Sequence, residues 1–266
     1  MSIEIHSAKD IEAIKVSCQM AADTLLLVGE KLRAGMTTDE INAIVHEDTL
    51  RRDAYPSPLN YHGFPKSVCT SVNEIVCHGI PGAQVLKNGD IVNVDVTTLY
   101  KGFHGDTSAT FYVGNVSPEA RLCTETARVA LDLGIAEVKE GARLGDIGAA
   151  IQEYVESKGC SVVRDFVGHG IGRKFHEPPQ VKHYGKRGTG DRIKAGMVFT
   201  IEPMVNIGGW EVDVDPKDKW TVRTADGSLS AQFEHTVAVT KNGCEVLTRR
   251  QKTLRMSENV ASIMAV

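Results

Sequence analysis

Gly35-Met-Thr-Thr-Asp-Glu-Ile41-Asn-Ala-Ile-Val45-His-Glu47 and Gly141-Ala-Arg-Leu-Gly-Asp-Ile147-Gly-Ala-Ala-Ile151-Gln-Glu153 follow one pattern, a glycine turn leading into a capped amphipathic helix. The two copies stand 106 positions apart, as 35 to 141 and 47 to 153. With the offset lengthened by one residue, Tyr61-His62-Gly63-Phe64 falls over Gly168-His169-Gly170-Ile171. Gly89-Asp-Ile-Val-Asn-Val-Asp95 then falls over Gly196-Met-Val-Phe-Thr-Ile-Glu202. Three segments in the same order, at spacings of 106 and 107, imply two related halves, about 10–115 and 120–247, joined near Val116 to Arg121. A pseudo-two-fold axis between them would bring equivalent residues toward a shared site.

Within each half the pattern is helix, then β. Apolar spacing predicts helices over Ile11–Leu32, Thr38–Asp53, Pro118–Lys139 and Leu144–Lys158. Strands are predicted over Asp90–Val96, Ser108–Val113, Met197–Pro203 and Glu234–Thr240, with Tyr100 to Gly105 as a hairpin turn between Asp95 and Asp106. The fold class is therefore α+β, an antiparallel sheet with helices outside it and a site on the sheet's inner face. No low-complexity segment or Pro/Ser-rich linker divides the 266 residues, so 1–266 is read as one catalytic domain.

Composition narrows the function classes. Hydrophobic residues make up 42% and charged residues 24%, the balance of a folded globular chain. A formal charge of −4 gives no electrostatic reason for nucleic acid as the main partner. Met1-Ser2-Ile3-Glu4-Ile5-His6 has neither the basic nor the apolar region of a signal peptide, and no apolar run approaches a membrane span. A cytoplasmic protein is expected. Six scattered cysteines, with no Cys-x-x-Cys spacing, read as reduced and mostly buried thiols.

The chemistry is carried by acids inside apolar strands: Asp95, Asp106, Glu202 and Glu234. A buried carboxylate is costly unless paired, hydrogen-bonded or bound to metal. One such acid alone would be read as a salt bridge or a strand end. Four at related positions, with the glycine-flanked His169, point instead to two divalent ions of the Mn, Fe, Co or Zn kind. Two ions can polarise a carbonyl and activate a water, so amide hydrolysis is the natural reaction. Gly-x-Ser-x-Gly, His-Glu-x-x-His and Walker patterns are absent from the sequence, which disfavours serine hydrolases, zincins and NTPases.

Several stretches together make the chain resemble the type I methionine aminopeptidases, members of the pita-bread metallopeptidases. They are Tyr55-Pro-Ser-Pro-Leu-Asn-Tyr-His-Gly-Phe-Pro-Lys-Ser67, Cys69-Thr-Ser-Val-Asn-Glu-Ile-Val-Cys-His-Gly-Ile-Pro81, Gly105-Asp106-Thr-Ser-Ala109, Gly168-His169-Gly-Ile-Gly172, Phe175-His176-Glu-Pro-Pro179 and Phe199-Thr-Ile-Glu202-Pro-Met204. The likeness covers nearly the whole chain. It implies the pita-bread fold and removal of the initiator methionine from nascent chains whose second residue is small. As metal ligands it implies Asp95, Asp106, His169, Glu202 and Glu234, with Asp106 and Glu234 bridging two divalent ions (Co, Mn, Fe, Zn or Ni). Glu202 would also accept a proton, His78 would stand near the substrate's amino group and scissile amide, and His176 would hydrogen-bond its carbonyl. The methionine pocket would be Tyr61, Phe64, Cys69, Phe175 and Trp220, with Pro58 where many relatives have Cys.

By the duplication His62 matches His169, which places it at the site wall. His6, His46 and His183 read as surface residues, and His104 and His235, beside the ligands, as supporting ones. Asn73 and Ser230 match a monovalent-cation site of the family, against plain turn capping and a surface hydroxyl. Lys217, Lys219 and Arg223 form a basic stretch, either solvated or in transient contact with the ribosome. The chain is expected to be monomeric. Two rivals remain open: a proline-directed peptidase of the same fold, and a pita-bread binding protein without catalysis.

Overall fold

The computed structural model describes residues 2–249. Four helices form: α1 (Ala8–Lys31), α2 (Thr38–Arg51), α3 (Pro118–Ala136) and α4 (Leu144–Ser157). Their starts are written in the sequence. The Ser7 and Ser117 hydroxyls accept the N–H groups of Asp10 and Ala120, and Pro118 opens α3 at a position that has no helical N–H partner to lose. Thr37 and Glu40 cap α2 reciprocally. In α4 only half of that device survives, because Arg143 stands where α2 has Thr37 and Asp146 accepts the Arg143 N–H. The bounds of α2 and α4 lie 106 positions apart, 38 to 144 and 51 to 157.

The main sheet has nine strands among the described residues. Its path runs Tyr55–Pro56, Ile91–Tyr100, Phe103–Tyr112, Glu234–Thr240, Val198–Ile201, Gly168–Gly170, Glu177–Val181, and every pairing is antiparallel. The halves meet at the centre, where Glu234 pairs with Ser108 and His235 with Thr107. The helices pack on this sheet over a core that includes Leu25, Ile41, Val94, Phe111, Ile147, Ile151, Phe199 and Val237. Each such side chain, taken fully out of water, contributes roughly 1.5–3 kcal/mol before entropy is charged against it.

Two strand limits differ from the sequence reading. Lys101 and Gly102 both adopt positive φ and close the first hairpin as a two-residue turn. The strands therefore run on to Tyr100 and from Phe103, and Asp106 lies inside the ladder opposite Thr97 rather than beside a long turn. In the second half the strand stops at Ile201, one residue short of Glu202. Pro203 follows and has no N–H to give a ladder. Glu202 thus sits at a strand end, free to turn toward the inner face.

Candidate metal centre

Pairing register assembles the site. Directly opposed residues on neighbouring antiparallel strands share a face, and one row across the sheet reads Cys69, Asp95, Ser108, Glu234. Asp106 is two residues from Ser108 and so projects to the same side. The hairpin also grips the opposite half: Thr107 Oγ1 donates to the Glu234 carbonyl at 2.9 Å, and Asn93 Nδ2 and Thr110 Oγ1 donate to the Gln232 carbonyl, each at 2.8 Å.

His169 arrives from the second half on Gly168–Gly170. Both glycines are demanded by close backbone approach, since a Cβ on Gly168 would lie 2.5 Å from the Thr200 carbonyl oxygen and one on Gly170 2.2 Å from that of Pro178. The Nδ1–H of His169 donates to the Gly170 carbonyl at 3.0 Å, which fixes the tautomer and leaves Nε2 with its lone pair. That nitrogen stands 3.7 Å from Asp106 Oδ2 and 3.7 Å from Glu202 Oε1, too far for hydrogen bonds and close enough to share an ion. Ligand atoms of Asp106, His169 and Glu234 fall within 4.8 Å of one another.

The electrostatics describe a site built for cations. Burial, reinforced by the neighbouring carboxylates, holds the Asp106 and Glu234 carboxyls well above the usual carboxylate range. Burial pushes Asp95 up to about 6 and Glu202 up to about 8. Asp95 Oδ1 and Glu234 Oε1 are buried without a hydrogen-bond partner among the described residues. Oxygen-rich donors, one imidazole, orphaned carboxylate oxygens and unbalanced negative charge are the donor set that borderline divalent ions take. The residues fit such ions.

Side chains that the sequence reading did not single out hold the acids in place. Thr97 Oγ1 donates to Asp106 Oδ1, and Thr200 Oγ1 to Glu202 Oε1, each at 2.7 Å; Gln232 Nε2 donates to Glu202 Oε2 at 3.1 Å. A signal existed, because Thr97, Thr200 and Gln232 each stand two residues from an acid, at the period of a strand. His183 gave none. Expected at the surface, it is fully buried, and its Nε2 accepts the Glu202 backbone N–H at 3.1 Å. Replacing His183 by Phe should leave that N–H unpaired and cost about 1–3 kcal/mol, read as a lower urea midpoint at unchanged slope. A midpoint equal to wild type would show that the bond contributes nothing.

The acids and His169 form part of the wall of a cavity of about 600 Å³. Pro58, Tyr61, Phe64, Cys69, Phe175 and Trp220, the pocket residues named from sequence, all line it, with Cys77, Phe166 and Met204 added. Rings meet edge-on or tilted: Phe64 and Trp220 at 5.3 Å, Tyr61 and Phe175 at 4.9 Å. His78 lies among Phe166 and Trp220, and burial lowers it to about 4, so it is neutral at physiological pH. His176 also lines the cavity, its Nδ1 2.9 Å from Tyr61 Oη, and desolvation and the other histidines keep it neutral too.

His62 does not line this cavity. Its counterpart position in the duplication is a strand, whereas Tyr61–Gly63 is a 3-10 turn in which His62 has φ 46° and an exposed ring set edge-on against Tyr61. His6 is buried rather than exposed, in the groove beside Gly172 and Gly196, and His46 is half-buried, its Nδ1 2.8 Å from Ser67 Oγ. His104 stacks on Phe175 and bonds Ser57, and His235 bonds Thr248 at the back of the sheet. Asn73 caps a turn with its side chain, bonding Asp90 and Ile91, while the Ser230 hydroxyl is buried without a partner among the described residues. The six thiols are free, five of them buried. Arg223 is engaged with Glu74 at 3.0 Å, leaving Lys217 and Lys219 exposed.

A curled antiparallel sheet carrying buried acids and a histidine above an aromatic cavity defines a metallopeptidase, and the comparisons agree. Residues 12–241 match the model of metallopeptidase family M24, and the chain belongs to that family. Methionine aminopeptidases are among the proteins it is similar to. That of Rickettsia prowazekii is 48% identical over 254 residues, spanning 96% of this chain and 98% of that one, and its crystal structure superposes with a TM-score of 0.92 over 93% of this chain and all of the other. The Synechocystis methionine aminopeptidase A is 52% identical over 93% of this chain and 98% of its own. That of Escherichia coli K12 is 51% identical over 94% and 96%. The prolidase of Pyrococcus horikoshii, 22% identical with a TM-score of 0.73 over 94% of this chain and 65% of its own, shares the pita-bread fold.

Proposed function

We propose that this chain is a metal-dependent methionine aminopeptidase that hydrolyses the first peptide bond of N-terminal Met-Xaa chains when Xaa is small. One observation carries the reading: four carboxylates, those of Asp106 and Glu234 buried and those of Asp95 and Glu202 half-buried, converge with His169 on the wall of a cavity also lined by Tyr61, Phe64, Phe175 and Trp220. Asp95, Asp106, His169, Glu202 and Glu234 would hold two divalent ions of the Co, Mn, Fe, Zn or Ni kind. Such ions, when bound, polarise the scissile carbonyl and make water nucleophilic at neutral pH.

The remaining work falls to the protein. Tyr61, Phe64, Cys69, Phe175 and Trp220 take the methionine side chain, whose thioether gains from contact with aromatic edges. Tyr61 O–H donates to His176 Nδ1, which leaves His176 Nε2–H as the donor for the substrate carbonyl. The charge that develops on that oxygen strengthens the bond in the transition state. His78, neutral, stands by the amino group and the scissile amide. Glu202, oriented by Thr200 and Gln232, takes the proton of the attacking water and returns it to the departing amine.

The same reading places the chain in the cytoplasm as a monomeric single domain, 1–266, with Lys217 and Lys219 open to transient contact with the ribosome. Among the described residues, no helix is long and apolar enough to cross a membrane. A monovalent cation between Asn73 and Ser230 belongs to it as well, supported by the unpartnered Ser230 hydroxyl.

Metal-stripped protein, assayed on Met-Ala-Ser, Met-Lys-Ser and Ala-Pro-Ala with Mn, Co, Fe or Zn added back, tests the reading. Methionine release from Met-Ala-Ser alone, abolished by EDTA and by Asp106→Asn, is the expected result. Cleavage of Ala-Pro-Ala would move the chain to the proline-directed peptidases. No turnover with any metal would leave a binding protein.

A further inference from the structure

A second group of metal-ligating side chains lies apart from the five residues of the centre. His6 is buried, with 2% of its side chain exposed, and its ring has a carboxylate on each side: Glu4 Oε1 is 3.9 Å from Nδ1 and Glu177 Oε1 is 3.5 Å from Nε2. Neither approach is a hydrogen bond. The gaps are close in length to the 3.7 Å that separates His169 from Asp106 and from Glu202, although there both carboxylates face one nitrogen, Nε2, and here an ion on the ring would use one nitrogen and draw the other carboxylate toward it. One ligand atom from each of Glu4, His6 and Glu177 can be chosen so that all three lie within 4.8 Å of one another.

The backbone is shaped to admit the ring. A Cβ on Gly172, the last glycine of Gly168-His-Gly-Ile-Gly172, would stand 2.5 Å from His6 Cε1 and 3.1 Å from Glu177 Oε1, so only glycine lets ring and carboxylate come together there. The N-terminal segment is fixed beside them by the His6 N–H, which donates to the Gly196 carbonyl at 2.8 Å. Glu177 keeps 7% of its side chain exposed and follows His176 directly in the chain.

We propose that Glu4, His6 and Glu177 form a separate divalent-cation site that fastens the N-terminal segment to the loop carrying Phe175 and His176. One imidazole nitrogen and two carboxylates suit a borderline ion such as Zn²⁺ or Mn²⁺, with coordination completed by water through the open Glu4 side. The assignment stands independently of peptidase activity, since it uses none of the five residues of the main centre.

Zn²⁺ alone is the probe. Calorimetric titration of the metal-stripped full chain carrying Asp106→Asn and Glu234→Gln, which disable the main centre, should still show a Zn²⁺ site. Glu4→Gln, at an exposed carboxylate, and His6→Gln should each weaken it about tenfold or more, as loss of a ligand costs at least what loss of a supporting partner does. Anomalous scattering from zinc-soaked wild-type crystals should place an ion between His6 and Glu177, whatever the folding of the variants. No peak at that position, with binding unchanged by Glu4→Gln and His6→Gln, would overturn the assignment and leave His6 a buried ring packed between two carboxylates.

Discussion

Glu202→Gln should lower kcat on a methionyl peptide by about a hundred- to ten-thousand-fold, the range a positioned general base contributes. Gln keeps the shape of the side chain and can still meet Thr200 and Gln232, so the pocket and KM should change little. What it loses is the ability to take a proton. The carboxylate is placed for that by three separate bonds, from Thr200, from Gln232 and through its own N–H to His183. Because Glu202 also faces His169 at 3.7 Å, metal content must be measured beside the kinetics. A variant that keeps its metal and loses kcat supports the base; one that keeps both removes Glu202 from the chemistry.

Removing metal should make stability fall as pH rises. In the stripped protein the Asp95 and Glu202 carboxyls lie at about 6 and about 8, above their ordinary 3.8 and 4.5, because burial penalises the charged form. The folded state then holds protons that the unfolded chain has released, so stability is greatest on the acid side and falls as pH rises from about 5 to about 8. Asp48 works in the opposite sense. Its bonds to Arg52, Thr24 and Arg51 outweigh burial and lower it below 3.8, so its contribution is lost only under more acid conditions, outside this window. Bound cations supply the missing positive charge, and their uptake should release protons. Melting curves between pH 5 and 8, with chelator and with metal, test this: the stripped protein should lose several degrees or more toward pH 8 while the loaded protein stays nearly level. A stripped protein whose melting temperature rises with pH would mean that the carboxylates are balanced by some other charge.

Much of the site was legible in the sequence because acids inside apolar strands are anomalous. Asp95, Asp106 and Glu234 stand out against Val, Ile and Thr neighbours, and the repeated glycine turns set the two halves in register. The helix starts at Thr38, Pro118 and Leu144 were legible as well, whereas α1 begins at Ala8, capped by the Ser7 hydroxyl, three residues before the expected Ile11. Histidines were harder. His62 and His169 hold equivalent places in the duplication, yet one half turns in a 3-10 bend at Asn60 to Gly63 and the other runs on as strand, so one ring is exposed and the other faces the acids. His6 and His183 sit in polar-looking sequence, and only packing from distant segments buries them.

The sequence by itself determined the α+β class and the chemical types available, because periodicity, turn residues and misplaced charge act over a few positions. Tertiary structure alone decided the distances. It decided that a two-residue turn at Lys101-Gly102 carries Asp106 into the ladder, that Thr97, Thr200 and Gln232 orient the acids, and that Gly172 seats His6 against Glu177. The turn and the bonds to the acids depend on strand register, and the seat of His6 on two distant chain segments meeting in space, which no local pattern measures.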